Sequence, residues 1–171
     1  AGMAEDWMVP AAEAAAGYLL EVHWDGRTLR RVSSDGQAQG IEGLLEDYAG
    51  VAEGLFALYA ATGNPRWHHA AQELAAAAVE RFLGPDGLSD TAREPEQIRQ
   101  AQGGHSAANP LDDAVPSGTA LLAGVLLTSA SYGGPGRHRA LAEGLVDHVR
   151  RAGPAIPQAV GWSMAVQQFL L

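Results

Sequence analysis

Two kinds of helical segment alternate along this chain, and that alternation restricts its fold more than any other feature. Residues 10–22 (PAAEAAAGYLLEV) set Ala12, Ala15, Ala16, Leu19 and Leu20 on one stripe with Glu13 and Glu21 off it, which predicts an amphipathic helix with one dry face. Residues 44–62 (LLEDYAGVAEGLFALYAAT) carry apolar side chains nearly all round the axis, so this helix requires burial on most sides. It stops at Thr62-Gly63. Asn64 as N-cap and Pro65 at the first helical position then start a helix over 65–83, amphipathic again, with Trp67, Ala71, Leu74, Ala78 and Phe82 on its stripe. Residues 117–132 are apolar all round. The segment 137–152 sets Leu141, Leu145 and Val149 against Arg137, Arg139, Asp147, Arg150 and Arg151, and 156–171 is apolar once more.

Outer-like and inner-like helices therefore follow each other three times. This predicts an all-α fold of the α/α-toroid type, in a single domain over 1–171. A weak internal repeat agrees. The Asp-Gly turns in HWDGRTL (23–29) and GPDGLSDT (84–91) each follow an outer-like helix and precede a polar loop, and Asp47 and Asp112 at the next inner-helix starts are separated by a similar interval. The stretch 84–116, with Gly103, Gly104 and Pro110, is too long for an ordinary connection and reads as a functional loop on the rim. The closing run MAVQQFLL has no capping residue, and the chain reads as a piece of a longer one.

Composition removes several kinds of chemistry. With 20 acidic and 11 basic residues the net charge is −9, a field that repels nucleic acid and anionic membrane surfaces. All the basic residues are arginine, so no lysine exists for a Schiff base or a phosphate loop. There is no cysteine for disulfide, thiolate or cysteine-zinc chemistry. No apolar run reaches the ~18–20 residues of a membrane span, and the N-terminal stretch with Glu5 and Asp6 lacks the basic region of a signal peptide. The expectation is a cytoplasmic protein. The histidines do not form a metal site: His68 and His69 point about 100° apart on a helix, and His138 and His148 are too far apart along theirs. No cofactor is expected.

Three stretches carry a family resemblance: LLEDYAGVAEGLFALYAATGNPRW at 44–67, DDAVPSG at 112–118, and IPQAVGWSMAVQQFLL at 156–171. In this order they resemble the C-terminal helical domain of thioredoxin-domain proteins related to the spermatogenesis-associated thioredoxin-like protein. That domain is an (α/α)6 toroid akin to the N-acylglucosamine 2-epimerases and six-hairpin glycosidases, and the resemblance implies that about half of the ring is present here as alternating inner and outer helices. The resemblance implies a carbohydrate or sugar-like ligand, with the rest of a parent chain, including its thioredoxin-like domain, as partner. Epimerase- or glycosidase-like carboxylate chemistry would belong to that longer protein. The alternative function is a non-catalytic helical module that docks the thioredoxin domain or another protein.

The candidate catalytic pair is Asp47 and Asp112. On a toroid, inner-helix N-termini converge on one rim, and sugar chemistry uses two carboxyl groups about 5–9.5 Å apart, one as acid and one as base or nucleophile. Against this, aspartate in a first helical turn satisfies unpaired N–H groups and the helix dipole. Asp113 and Ser117 stand beside them as ligand contacts, Ser117 also being the natural N-cap of the next helix. Tyr48 and Trp67 either stack on a sugar face or belong to the core, the commoner fate of aromatics at helical spacing. His23 and His105 are read as loop residues near the rim, and His105 as a candidate acid or base.

Overall fold

The computed structural model describes residues 6–85, 87–92, 107–152 and 160–170. Its helices match the six periodic segments: α1 (Met8–Tyr18), continued by a π-helical turn (Leu19–His23), α2 (Leu45–Thr62), α3 (Pro65–Phe82), α4 (Gly118–Ser131), α5 (Arg137–Ala152) and α6 (Gly161–Gln168). The only strands among the described residues form two short antiparallel hairpins, β1 (Ser33–Ser34) with β2 (Gln37–Ala38) and β3 (Leu83–Gly84) with β4 (Gly87–Leu88). The fold is all-α. Among the described residues no helix is long and apolar enough to cross a membrane.

Helix α2 is the centre of the packing, touching α1, α3 and α4, while α4 touches α2, α3, α5 and α6. The α2–α3 junction follows from its residues. Gly63 takes a left-handed φ of 68°, Asn64 Oδ1 accepts from the Arg66 N–H at 3.0 Å, and Pro65 occupies the first turn. The stripe on α3 is buried as its periodicity requires, with Trp67, Ala71, Leu74, Ala78 and Phe82 all inside. On α2 the burial covers Leu45, Tyr48, Ala49, Ala52, Leu55, Phe56 and Leu58, whereas Glu53, Gly54 and Ala57 face outward. On α1 the expected stripe is only partly dry. Ala16 is buried, but Ala12 and Ala15 are exposed, because α1 packs mainly on α2 at one edge of the helix array.

The weak repeat in the sequence has a backbone counterpart. After α1 the chain turns so that Trp24 pairs with Leu29, the Arg30 N–H donates to His23 O, and the Gly43 N–H returns to Leu29 O. After α3 the same scheme recurs: Leu83 pairs with Leu88, the Ser89 N–H donates to Phe82 O, and the Ala108 N–H returns to Leu88 O. Each unit thus runs helix, tight hairpin, returning segment, helix. The 84–116 stretch is anchored by these bonds at both ends, and its portion 93–106 lies outside the described residues.

Tyr48 locks the first unit to the core. Its ring has no exposed surface and meets Phe82 and Trp24 edge-on at centroid distances of 5.2 and 6.1 Å, and its hydroxyl accepts from the Leu29 N–H at 2.7 Å. Burial pushes the phenol above its ordinary value of 10.0. A raised phenol favours the folded state while protonated, so this stabilisation is complete below pH 10 and is lost as pH rises further. Tyr48→Phe leaves a buried N–H unpaired. Urea unfolding at neutral pH is expected to show a loss of about 1–3 kcal/mol, with a flatter stability profile above pH 10 than in the wild type.

Candidate functional site

The first turns of α2 and α4 meet at one end of the molecule. At α2 the Leu45 N–H donates to Asp90 O at 3.0 Å, and the Leu44 N–H donates to Asp47 Oδ2 at 2.8 Å. This is one half of a capping box, since Leu44 has no side-chain acceptor to return the bond. Arg31 binds the outer side of the turn, with Nη2 2.8 Å from Glu46 Oε1 and Nε 3.6 Å from Asp47 Oδ2. Gly118 opens α4 directly against this turn. A Cβ there would stand 3.1 Å from the Leu45 side chain and 3.3 Å from the Glu46 nitrogen, so the two helix starts approach as closely as they do only because residue 118 has no side chain.

Asp112 lies in the lead-in to α4, not in its first turn, and so is not the positional equivalent of Asp47. Its Oδ1 accepts from the Ser117 N–H and its Oδ2 from the Trp162 N–H, both at 3.0 Å. One carboxylate therefore ties the cap of α4 to the first turn of α6. Ser117 caps α4 as expected, its Oγ accepting from the Ala120 N–H at 3.2 Å.

Between these helix starts lies a cleft of about 240 Å³ lined by Glu46, Asp90, Asn109, Asp113 and Ser117, with Leu111 and Pro116 among its apolar walls. Asp90 holds the returning segment in place through its Oδ2, which accepts from the Asn109 N–H at 2.9 Å. Asp113 is exposed, and among the described residues its carboxylate makes no hydrogen bond or ion pair. The cleft thus gathers three carboxylates, an amide and a hydroxyl from α2, the β4 side and the α4 lead-in. Such a lining accepts hydrogen bonds from a neutral, hydroxyl-rich molecule better than it holds an anion.

Of the residues singled out from the sequence, Asp113 and Ser117 line this cleft, whereas Asp47 and Asp112 hold its walls by accepting backbone N–H bonds. Neither Tyr48 nor Trp67 offers a face for stacking. Tyr48 is fully buried, and Trp67, only 3% exposed, donates its Nε1–H to Glu13 at 3.3 Å beneath the Arg66 guanidinium. His105 lies outside the described residues. His23 is not a rim-loop residue. It closes the π-helical turn, buried, with Nδ1 2.7 Å from Arg30 O and Nε2 3.0 Å from Ser33 Oγ. No cluster of metal-ligating side chains occurs among the described residues.

Glu46, Asp90 and Asn109 went unmarked in the sequence. Glu46 adjoins Asp47 in the LEDY stretch, and only the helix's rotation decides which of the two faces the cleft. Asp90 and Asn109 come together through the bond just described, for which their separation in the chain offers no sign.

Removing the Asp112 carboxylate strands two backbone donors. Asp112→Ala is expected to lower unfolding free energy by about 1–3 kcal/mol, Asp112→Asn by less because one acceptor oxygen survives, and Ser117→Ala by about 1 kcal/mol, all measured by urea denaturation. Compared with known proteins, the chain matches no family model and no curated protein.

Proposed function

We propose that this chain is a carbohydrate- or sugar-like-ligand-binding domain of the α/α-toroid type, working in the cytoplasm as part of a thioredoxin-domain protein. The observation that carries this reading is the convergence of Glu46, Asp90, Asn109, Asp113 and Ser117 on one cleft at the meeting point of α2 and α4. Vicinal hydroxyls donate to carboxylates and accept from an amide, and this lining supplies both. The toroid architecture is supported by the sequence of contacts, in which α2, α4 and α6 pack side by side, α3 bears on α2 and α4, and α5 bears on α4 and α6. Asp47 and Asp112 are positioning residues in this reading. Acid–base chemistry on a bound sugar falls to Glu46 and Asp113, since the third carboxylate of the cleft, Asp90, is engaged by the Asn109 N–H.

A second reading, a helical interaction module without a sugar, is favoured by a different feature. A groove of about 760 Å³ runs between α4 and α6, lined by Leu121, Gly124, Leu127, Trp162, Val166 and Phe169, with Trp162 and Phe169 53% and 78% exposed. Apolar surface of that kind is characteristic of contact with another polypeptide.

Titration with a panel of hexoses, N-acetylhexosamines and polyols, followed by amide chemical shifts, separates the two. Sugar binding is expected to move the amides of Asn109, Asp113 and Ser117, and Asp113→Asn, whose carboxylate holds no bond among the described residues, is expected to weaken affinity at least tenfold with an unchanged thermal midpoint. No shift at the cleft with any member of the panel would leave the interaction module as the function.

A further inference from the structure

A buried polar knot joins α3, α4 and α5 away from the cleft. Ser129 and His138 have no exposed surface. Ser129 Oγ stands 2.6 Å from Gln72 Oε1 and 2.7 Å from His138 Nδ1. The Gln72 amide nitrogen lies 3.5 Å from Ser129 O and 3.4 Å from His68 Nε2, which fixes the amide with its oxygen towards the serine. The single hydroxyl hydrogen of Ser129 is then given to Gln72, so His138 Nδ1 must be the donor to Ser129 Oγ. That assigns the neutral Nδ1–H tautomer and leaves the Nε2 lone pair in the core, where it has no hydrogen-bond partner.

Backbone packing seals the knot. The Gly134 N–H donates to Ser129 O at 2.8 Å, and a Cβ on Gly134 would collide with Ser129 Oγ and stand 2.9 Å from the Gln72 amide nitrogen. The ionisable groups around it do not offer a counter-charge. Neither α4 nor α6 carries an ionisable side chain; α3 contributes His68 at the far end of Gln72 and an exposed Glu73, and α5 contributes Arg137, Arg139 and an exposed Glu143 that is taken up by Arg139 at 3.2 Å.

We propose that His138 is an acid-sensitive latch. Proton uptake at Nε2 would place a cation in a dry site without an acceptor, and the first turn of α5 opens to hydrate it. Opening frees more than one turn, since Arg139 Nη2 holds Leu170 O, in the turn that follows α6, at 3.3 Å. Both burial and the Arg137 charge hold the imidazole below its ordinary value of 6.5. For a histidine whose folded-state value is depressed, the stabilising effect is complete above 6.5 and is lost as pH falls below it, because the open state binds the extra proton.

Native-state hydrogen exchange of the chain tests this. Protection factors at residues 138–146 are expected to fall about tenfold per pH unit below 6.5, while those of Leu55 and Phe56 in α2 change less. In His138→Asn, whose amide can still donate to Ser129, the pH dependence at α5 is expected to vanish. A wild-type α5 whose protection does not change with pH, or a folded His138→Asn that keeps the slope, overturns the latch. Should the variant fail to fold, ring resonances of the wild type decide: His138 is expected to stay in the Nδ1–H form through pH 6.5, and titration at the ordinary value with α5 protection unchanged refutes the proposal.

Discussion

The abutment of the first residue of α4 on the first turn of α2 is the contact on which the remaining architecture depends. With Gly118 against Leu45 and the Glu46 nitrogen, two helix N-termini sit side by side, each with donors that need acceptors. The chain meets that demand with oxygens brought in from elsewhere: Asp90 O for Leu45, Asp47 for Leu44, Ser117 for Ala120, and Asp112 for both Ser117 and Trp162. The acidic character of this end is thus first a response to helix geometry. A ligand site there reuses charge that the fold already requires.

Close approach is also the theme of the α2–α3 pair. Ala49 and Ala52 on α2 and Ala70, Ala71, Ala75 and Ala78 on α3 are all buried, and interleaved with them are the larger Leu55, Phe56, Leu74 and Phe82. Small residues let the helix axes come near while the large ones fill the gaps on either side, which is how a close-packed interior is reached without strained rotamers.

Helix number, type and order were legible because each segment repeats its apolar residues over several turns, and Asn64-Pro65 and Ser117-Gly118 mark starts that the structure reproduces. What could not be read was anything depending on a single rotation or on distant pairing. The roles of Glu46 and Asp47 hang on about 100° of helix phase. Asp112 looked like the counterpart of Asp47 from spacing alone, yet one stands inside a helix and the other before one, since the second unit spends extra residues in its lead-in. The exposure of Ala12 and Ala15 shows a related gap: periodicity identifies a dry face but does not say whether a neighbour covers it. The sequence places His138 on an outer helix, and nothing local distinguishes it from the exposed His148.

The paired hairpins have an evolutionary reading. In both units a backbone bond pins the returning segment, Gly43 to Leu29 and Ala108 to Leu88, and the first unit adds Arg31 to Ile41 and Gln39 to Val32. What lies between the pinned residues can lengthen without disturbing the helices, and the second unit is already longer than the first. Because loop closure grows only logarithmically with length, that difference costs about a few tenths of a kcal/mol. The fold therefore separates helices that must stay fixed from a connection whose length is free to drift, and Asp90 and Asn109, on either side of the longer connection, line the acidic cleft.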